Sequence, residues 1–307
     1  MNESRFVVGA ATDVGKLREV NEDAHGYLRA SVGEVLVVCD GMGGHASGDV
    51  ASKLARDAVL GSVLTAAADS DPAAVLTQAA AAAQARVRHA SAAGPDRQGM
   101  GTTLVCALVQ GQRATLANVG DSRAFIVRDG RAQQLSMDHT KGQQLLDGGV
   151  ISAEQLASHP QKGVLYMALG QMSSEPVPHV VQVQLVEGDY LVLCSDGVYD
   201  CMVPDKLAAL SSGVNPAYAA ANLVRYAVEH DGKDNATVVI GRCLDVDRPV
   251  AAPVPLQPRA APVAQPPAGS AEGSLPQTAG AAGSWRALTP YLLVAAVIGI
   301  IVGGIAV

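Results

Sequence analysis

The sequence predicts an α+β fold in which two antiparallel sheets are covered by helices, followed by a C-terminal transmembrane helix. Three observations predict it. Apolar, β-branched runs follow one another in meander order, with helical runs only between blocks, which is not the strict alternation of a parallel βαβ sheet. Ala-rich stretches of helical length lie between those blocks. The last stretch, Leu288 to Val307, is uncharged and nearly all apolar.

Taken in order, strands are expected at Phe6 to Ala11, Val35 to Cys39, Thr102 to Val109, Arg113 to Asn118, Ala124 to Arg128, Val180 to Leu185, Tyr190 to Cys194 and Ala236 to Cys243. Helices are expected at Ala46 to Ala67, Pro72 to Ala92 and Pro216 to Glu229. Asp129-Gly130, set between Ile126-Val127 and the run that ends at Leu135, has the residue types of a two-residue hairpin turn.

After Asp247 the composition changes abruptly. Residues 248–287 are dominated by Pro, Ala, Gly and Gln and carry too little apolar surface to fold, so they read as a linker between a domain at 1–247 and a membrane segment at 288–307. About 20 helical residues span a hydrocarbon core of about 30 Å. Trp285, Arg286 and Tyr291 at the entrance of that segment place its start, and hence the folded domain, on the cytoplasmic side. Gly299 and Gly303 form a G-x-x-x-G pair through which two such helices would dimerise weakly.

Composition narrows the function. A net charge of -7 and a pI near 5.4 lack the basic footprint that a nucleic-acid partner demands. With 49% hydrophobic residues but only 3% aromatics, the core must be built from Ala, Val, Leu and Ile. Cys39, Cys106, Cys194, Cys201 and Cys243 show no C-x-x-C spacing and read as reduced, buried thiols. Met1 to Arg5 contains no apolar signal region.

The acidic residues recur at one kind of place, directly after an apolar strand and before a small residue. Asp40-Gly41 follows Val37-Val38-Cys39, Asp121-Ser122 follows Val119-Gly120, Asp196-Gly197 follows Cys194-Ser195, and Asp234-Asn235 stands just ahead of the last strand. Glu22-Asp23 precedes Ala24. A single Asp-Gly pair is an ordinary turn. Several carboxylates at one sheet edge repel one another unless cations hold them, and an all-oxygen set suits Mg²⁺ or Mn²⁺. No His/Cys set has zinc-ligand spacing, and there is no EF-hand loop.

These residues sit within motifs that resemble the type 2C metal-dependent serine/threonine protein phosphatases, in their bacterial branch. The matching segments are Thr12-Asp13-Val14-Gly15 through Arg18-Glu19-Val20-Asn21-Glu22-Asp23, Asp40-Gly41-Met42-Gly43-Gly44-His45, Gly101-Thr102-Thr103, Val119-Gly120-Asp121-Ser122-Arg123, Asp138-His139-Thr140, Ala168-Leu169-Gly170, Ser195-Asp196-Gly197 and Asp234-Asn235-Ala236-Thr237. The resemblance implies a four-layer α-β-β-α sandwich with two metal ions, Mn²⁺ or Mg²⁺, sharing a bridging water above it. By the same resemblance Asp40 would bridge both ions and the Gly41 carbonyl would ligate one, Asp196 and Asp234 would complete a shell, and Glu22 and Asp23 would hold metal-bound waters. Asp121, with Asp196, matches the position that binds a third, weaker ion. Arg18 matches the phosphate-binding arginine, whose planar fork takes two phosphate oxygens.

The implied activity is dephosphorylation of phosphoserine and phosphothreonine proteins by metal-bound hydroxide, opposing a bacterial Ser/Thr kinase and its targets at the inner membrane. Departures exist. Met42 stands where the eukaryotic branch has a proposed general-acid histidine; His45 and His139 read as structural residues, His139 supporting the hairpin expected after it. Lys141 to Leu169 matches the mobile flap beside the site, with Gly163 and Met167 where asparagine and arginine are more usual. Tyr199 replaces a frequent tryptophan. The alternative is a catalytically inactive, membrane-tethered phosphoprotein-binding scaffold; the retained Asp40, Asp121, Asp196 and Asp234 weigh against it, because like charges held together cost folding energy.

Overall fold

Long uninterrupted apolar runs require strands covered on both faces, and the computed structural model, which describes residues 6–43, 47–171 and 175–244, shows how that cover is supplied. The strands are β1 (Phe6–Asp13), β2 (Ala24–Ala30), β3 (Gly33–Cys39), β4 (Gly41–Met42), β5 (Gly101–Thr102), β6 (Leu104–Gln110), β7 (Arg113–Val119), β8 (Arg123–Arg128), β9 (Arg131–Gln134), β10 (His179–Gln184), β11 (Tyr190–Cys194) and β12 (Ala236–Cys243). The helices are α1 (Gly48–Thr65), α2 (Pro72–Ser91), α3 (Lys141–Asp147), α4 (Ala153–Ala157), α5 (Asp196–Tyr199), α6 (Pro204–Ser211) and α7 (Pro216–His230). One sheet runs β1-β12-β11-β8-β9 and the other β10-β7-β6-β3-β2, every neighbouring pair antiparallel.

The order of layers follows from which side chains meet. Leu36, Val38, Val105, Ala107, Ile126, Leu191 and Leu193 close the space between the sheets. Val35, Val37 and Cys106 point the other way, against Ala51, Ala55, Ala79, Ala80 and Ala83 of α1 and α2. On the far side Val192, Val238 and Ile240 pack on Leu207 of α6 and Ala219, Ala220 and Leu223 of α7. The result is helices, sheet, sheet, helices, the arrangement expected for the domain. Alanines let the helices approach the sheets closely, which is how a core with so few aromatics fills its volume.

Helix starts are encoded locally. Asp71 caps α2, its side chain accepting from Ala74 N, with Pro72 in the first turn, and Asn215 with Pro216 does the same for α7. Asp129 (φ 50°) and Gly130 (φ 74°) form the two-residue hairpin between β8 and β9, as expected of Asp-Gly.

Several boundaries differ from the sequence expectations. The strand expected from Thr102 to Val109 is broken at Thr103, whose N–H turns to the carbonyl of Asp40 at 2.9 Å; β5 therefore pairs with β4 and β6 with β3. Strand β2 was not expected: it is an edge strand, so His25, Gly26 and Arg29 are tolerated within it. The helix expected from Ala46 to Ala67 is narrower, Gly48–Thr65. After Asp138 the chain enters helix α3 rather than a hairpin, capped by Thr140, and α4 follows with a Ser152/Gln155 capping box. His45, the 248–287 linker, the 288–307 segment and the Gly299/Gly303 pair lie outside the described residues. Among the described residues, no helix is long and apolar enough to cross a membrane.

Candidate metal centre

Sheet direction brings the acids together. β3 and β7 both run antiparallel to β6, so they run parallel to each other and end at the same edge, where Asp40 and Asp121 follow. β2 is antiparallel to β3, with Ala24 opposite Cys39, which sets Glu22 and Asp23 at that edge too. In the other sheet β11 ends beside the start of β12, Cys194 opposite Val238, which places Asp196 next to Asp234. Each sheet thus contributes carboxylates to one shared rim.

They meet at a cavity of about 510 Å³ lined by Arg18, Glu19, Val20, Glu22, Asp40, Gly41, Met42, Thr103, Asp121, Gly163, Leu165, Asp196 and Asp234, among others. Asp23 is not among the lining residues; it is buried and receives the Ser195 hydroxyl at 2.8 Å. A second cavity of about 310 Å³, sharing Asp121, Gly163 and Asp196, lies beside it and is walled by Ala153, Leu156 and Ala157 of α4.

The electrostatics are those of carboxyl groups crowded away from water. Burial, then the neighbouring Asp23, Asp196, Asp121 and Asp234, drives Asp40 well above the ordinary carboxylate range. Burial lifts Asp121 to about 7, with Asp196 the next cause, and lifts Asp23 to about 7 against the pull of hydrogen bonds from Thr237 and Ser195. Asp196 is raised by burial and by Asp234. Glu22 is raised by burial while Gly48 N–H donates to its Oε1 at 3.1 Å.

Two buried oxygens, Oδ1 of Asp23 and Oδ1 of Asp196, have no hydrogen-bond partner. Unpartnered buried acceptors among mutually repelling acids are what a divalent cation would satisfy. The acidic donors at the cavity are oxygen atoms, with neither His nor Cys among the lining residues named above, which fits Mg²⁺ or Mn²⁺. Among the described residues no group of three or more His, Cys, Asp or Glu side chains is already arranged to hold a metal ion.

Arg18, half-exposed, reaches the same cavity and pairs its Nη2 with Asp234 Oδ2 at 2.6 Å. Gly41 is fixed by close approach: a Cβ there would collide with the carbonyl oxygens of Gly48 and Glu22, so the chain can pass between them only as glycine. Gly163 and Met42 both line the cavity, whereas Met167 packs inward against the α1/α2 core.

Sequence reasoning missed the residues that hold the carboxylates in place. Thr103 Oγ1 accepts from Asp40 N at 2.9 Å and meets Ser122 Oγ at 2.6 Å. Ser195 Oγ also accepts from Thr237 N at 3.0 Å. Asn235 accepts from Glu22 N at 2.8 Å and donates to the carbonyls of Val14 and Val20 at 2.9 and 3.1 Å, so it staples the loop that carries Arg18. His139 is structural, but its Nδ1 accepts from Gly120 N at 3.1 Å; it braces the turn before Asp121 rather than a following hairpin. Tyr199, read from sequence as a bland aromatic exchange, donates to the Asp121 carbonyl at 2.9 Å. The available signal was adjacency: a hydroxyl or amide stands next to most of the acids in sequence.

Comparison with known proteins agrees with this geometry. The sequence model of the protein phosphatase 2C family matches residues 16–226. A curated relative, the serine/threonine protein phosphatase PstP of Mycobacterium tuberculosis, is 36% identical over 238 residues, 78% of this chain and 45% of that protein, so the chain spans about half the length of this relative. The serine/threonine phosphatase stp of Listeria monocytogenes is 35% identical over 242 residues, 75% of this chain and 92% of that protein. A solved structure of the PstP catalytic domain in complex with two manganese ions superposes with a TM-score of 0.68 at 33% identity, covering 78% of this chain and 99% of the other. With the family's sequence pattern across most of the domain and the same architecture in a solved relative, the chain belongs to the bacterial branch of the protein phosphatase 2C family.

Proposed function

We propose that this chain hydrolyses phosphoserine and phosphothreonine in proteins at a centre that takes two Mn²⁺ or Mg²⁺ ions, opposing a Ser/Thr kinase. The observation that carries this reading is the convergence of Asp40, Asp121, Asp196, Asp234 and Glu22, from both sheets, on one polar cavity beside Arg18. Asp40, the Gly41 carbonyl, Asp196 and Asp234 would hold the two ions, Glu22 and Asp23 would act through water, and Asp121 with Asp196 would hold a weaker third. When bound, such ions polarise a phosphoryl group and lower the pKa of water, which makes a nucleophilic side chain unnecessary.

The chain's own residues do the rest. Arg18 has five N–H donors, so it can keep Asp234 and still present a planar pair to two phosphate oxygens. Thr103 fixes the main chain of Asp40 from both sides, its Oγ1 accepting and its N–H donating, and thereby sets the floor against which a phosphate would rest. Leu165 and Val20 add apolar surface to the wall of this cavity. Met42 carries no exchangeable proton, so the leaving oxygen takes its proton from another source.

The test is phosphate release from p-nitrophenyl phosphate and from a phosphothreonine peptide by the full chain in detergent. Turnover is expected with Mn²⁺ or Mg²⁺ and none in chelator; equal turnover in chelator would refute the reading.

We infer further that residues 288–307 tether the domain to the cytoplasmic membrane, with the phosphatase domain in the cytoplasm and phosphorylated membrane kinases within reach. The support is the uncharged apolar composition of that segment, its isolation behind a Pro/Ala-rich linker, and Trp285, Arg286 and Tyr291 at its start. Gly299 and Gly303 support pairing of two such helices. Fractionation of cells checks the tether: the full chain is expected with membranes and residues 1–247 in the soluble fraction.

A further inference from the structure

Asp121 and Asp196 come from different sheets, and the structure contains one side chain that joins them. Helix α5 is a single turn that Asp196 opens and Tyr199 closes, three residues apart and therefore on one face. From that face the Tyr199 hydroxyl donates to the main-chain carbonyl of Asp121 at 2.9 Å, in a buried contact between residues 78 apart in sequence. The Tyr199 ring lies beneath the Arg123 guanidinium, 3.7 Å from its centroid, and Arg123 in turn grips Asp138 with contacts of 2.6, 3.1 and 3.1 Å. Planar stacking and a two-pronged carboxylate grip hold the ring in one orientation.

The turn that carries Asp121 needs such a brace. Gly120, before it, sits at φ +97°, in the left-handed region, with Thr103 against the place a Cβ would occupy. Glycine has the widest conformational freedom of any residue, so the position of Asp121 must be imposed from outside its own turn. His139 and Thr103 hold its neighbours, Gly120 and Ser122. Tyr199 alone, among the contacts described here, ties Asp121 itself to the turn that bears Asp196.

We propose that Tyr199 is a positioning residue that sets the spacing between Asp121 and Asp196 and thereby the strength with which those two carboxylates share a divalent cation. The inference rests on the cation-dependent reading above. A phenylalanine at this position keeps the ring and its Arg123 stack but releases the Asp121 carbonyl, while a tryptophan retains a ring N–H donor.

The test is calorimetric titration of Mn²⁺ into the full chain in detergent, with kcat and KM for p-nitrophenyl phosphate measured alongside. Tyr199→Phe is expected to weaken the weakest Mn²⁺ site about 5- to 10-fold, leave the tighter sites and KM within about twofold, and lower kcat at limiting Mn²⁺; Tyr199→Trp is expected to recover part of the loss. Tyr199→Leu, which has neither a donor for the carbonyl nor an atom that ligates a cation, provides a second variant with the same expected loss should the phenylalanine protein not fold. Unchanged titration in these variants, or equal weakening at every site, would overturn the proposal. Absence of Mn²⁺ uptake by the wild-type chain would instead remove the cation-dependent reading itself, and the inference with it.

Discussion

Ser195 donates its hydroxyl hydrogen to Oδ2 of Asp23 at 2.8 Å, and the other oxygen of that buried carboxyl has no partner. The two residues are 172 positions apart, one before β2 and one after β11, so this bond crosses from one sheet to the other. It fixes Asp23 behind the cavity with one acceptor free, and Thr237 N fixes Ser195 in turn.

Removing that hydroxyl should therefore cost more than one hydrogen bond. In Ser195→Ala Oδ2 of Asp23 and the Thr237 N–H both lose their partner inside the core. Leaving buried polar groups unsatisfied costs about 1–3 kcal/mol. Urea denaturation in chelator is expected to show a loss of that size. A change below about 0.5 kcal/mol would mean that Asp23 finds water instead.

Crowded acids also fix the sign of the pH dependence. Asp121 and Asp23 rise from an ordinary 3.8 to about 7, chiefly through burial. Between those values the folded state binds more protons than the unfolded chain, so stability is fully present below about pH 4 and declines as pH rises toward 7. Metal-free protein should melt roughly 5–10 °C lower at pH 8 than at pH 5, and saturating Mn²⁺ should remove most of that difference. A metal-free melting temperature that climbs from pH 5 to 8 would contradict the electrostatic picture.

The site's position was legible because strand direction and Asp-Gly turns are local signals. Val37-Val38-Cys39 and Val192-Leu193-Cys194 announce strands, and an acid at the end of each must lie at a sheet edge. What stayed hidden was set by partners distant in sequence. Nothing beside Thr103 shows that its N–H must leave the strand for Asp40, 63 residues away, and nothing beside Asn235 shows that it staples Val14 and Val20. Strand β2 was obscured for a different reason: an edge strand needs only one buried face, so Gly26 and His25 erase the apolar run that marks a central strand. Helices α3 and α4 were too short to show a helical period, although Ser152 and Gln155 carry a capping box.

Arg18 offers a test of phosphate handling that keeps every acid in the chain, at the cost of the partner of Asp234. Its Nη2 is committed to Asp234. Arg18→Lys retains a charge but loses the planar pair of donors, so KM for p-nitrophenyl phosphate is expected to rise about 10-fold with a smaller change in kcat; Arg18→Ala should cost about 100-fold in kcat/KM. Equal kinetics for arginine and lysine would show that only charge matters there.

Gly120→Ala probes the turn that carries Asp121. At φ +97° an alanine is strained whatever the space, and its Cβ would stand 2.8 Å from Thr103 Cγ2 and 2.9 Å from Thr103 Cβ. The strain alone costs about 1–3 kcal/mol. Thr103 cannot yield freely, because its Oγ1 accepts from Asp40 N and its N–H donates to the Asp40 carbonyl. The substitution therefore pushes on Asp40 and Asp121 together. The expected outcome is a loss of about 3 kcal/mol in thermal or urea denaturation, with weaker Mn²⁺ binding in calorimetry. Gly111→Ala is the control: it also has a left-handed φ, +58°, but open space around its Cβ and no contact with the acids. It should lose stability without any change in Mn²⁺ affinity, and if both variants bind Mn²⁺ like the wild type, the link from Gly120 through Thr103 to Asp40 is wrong.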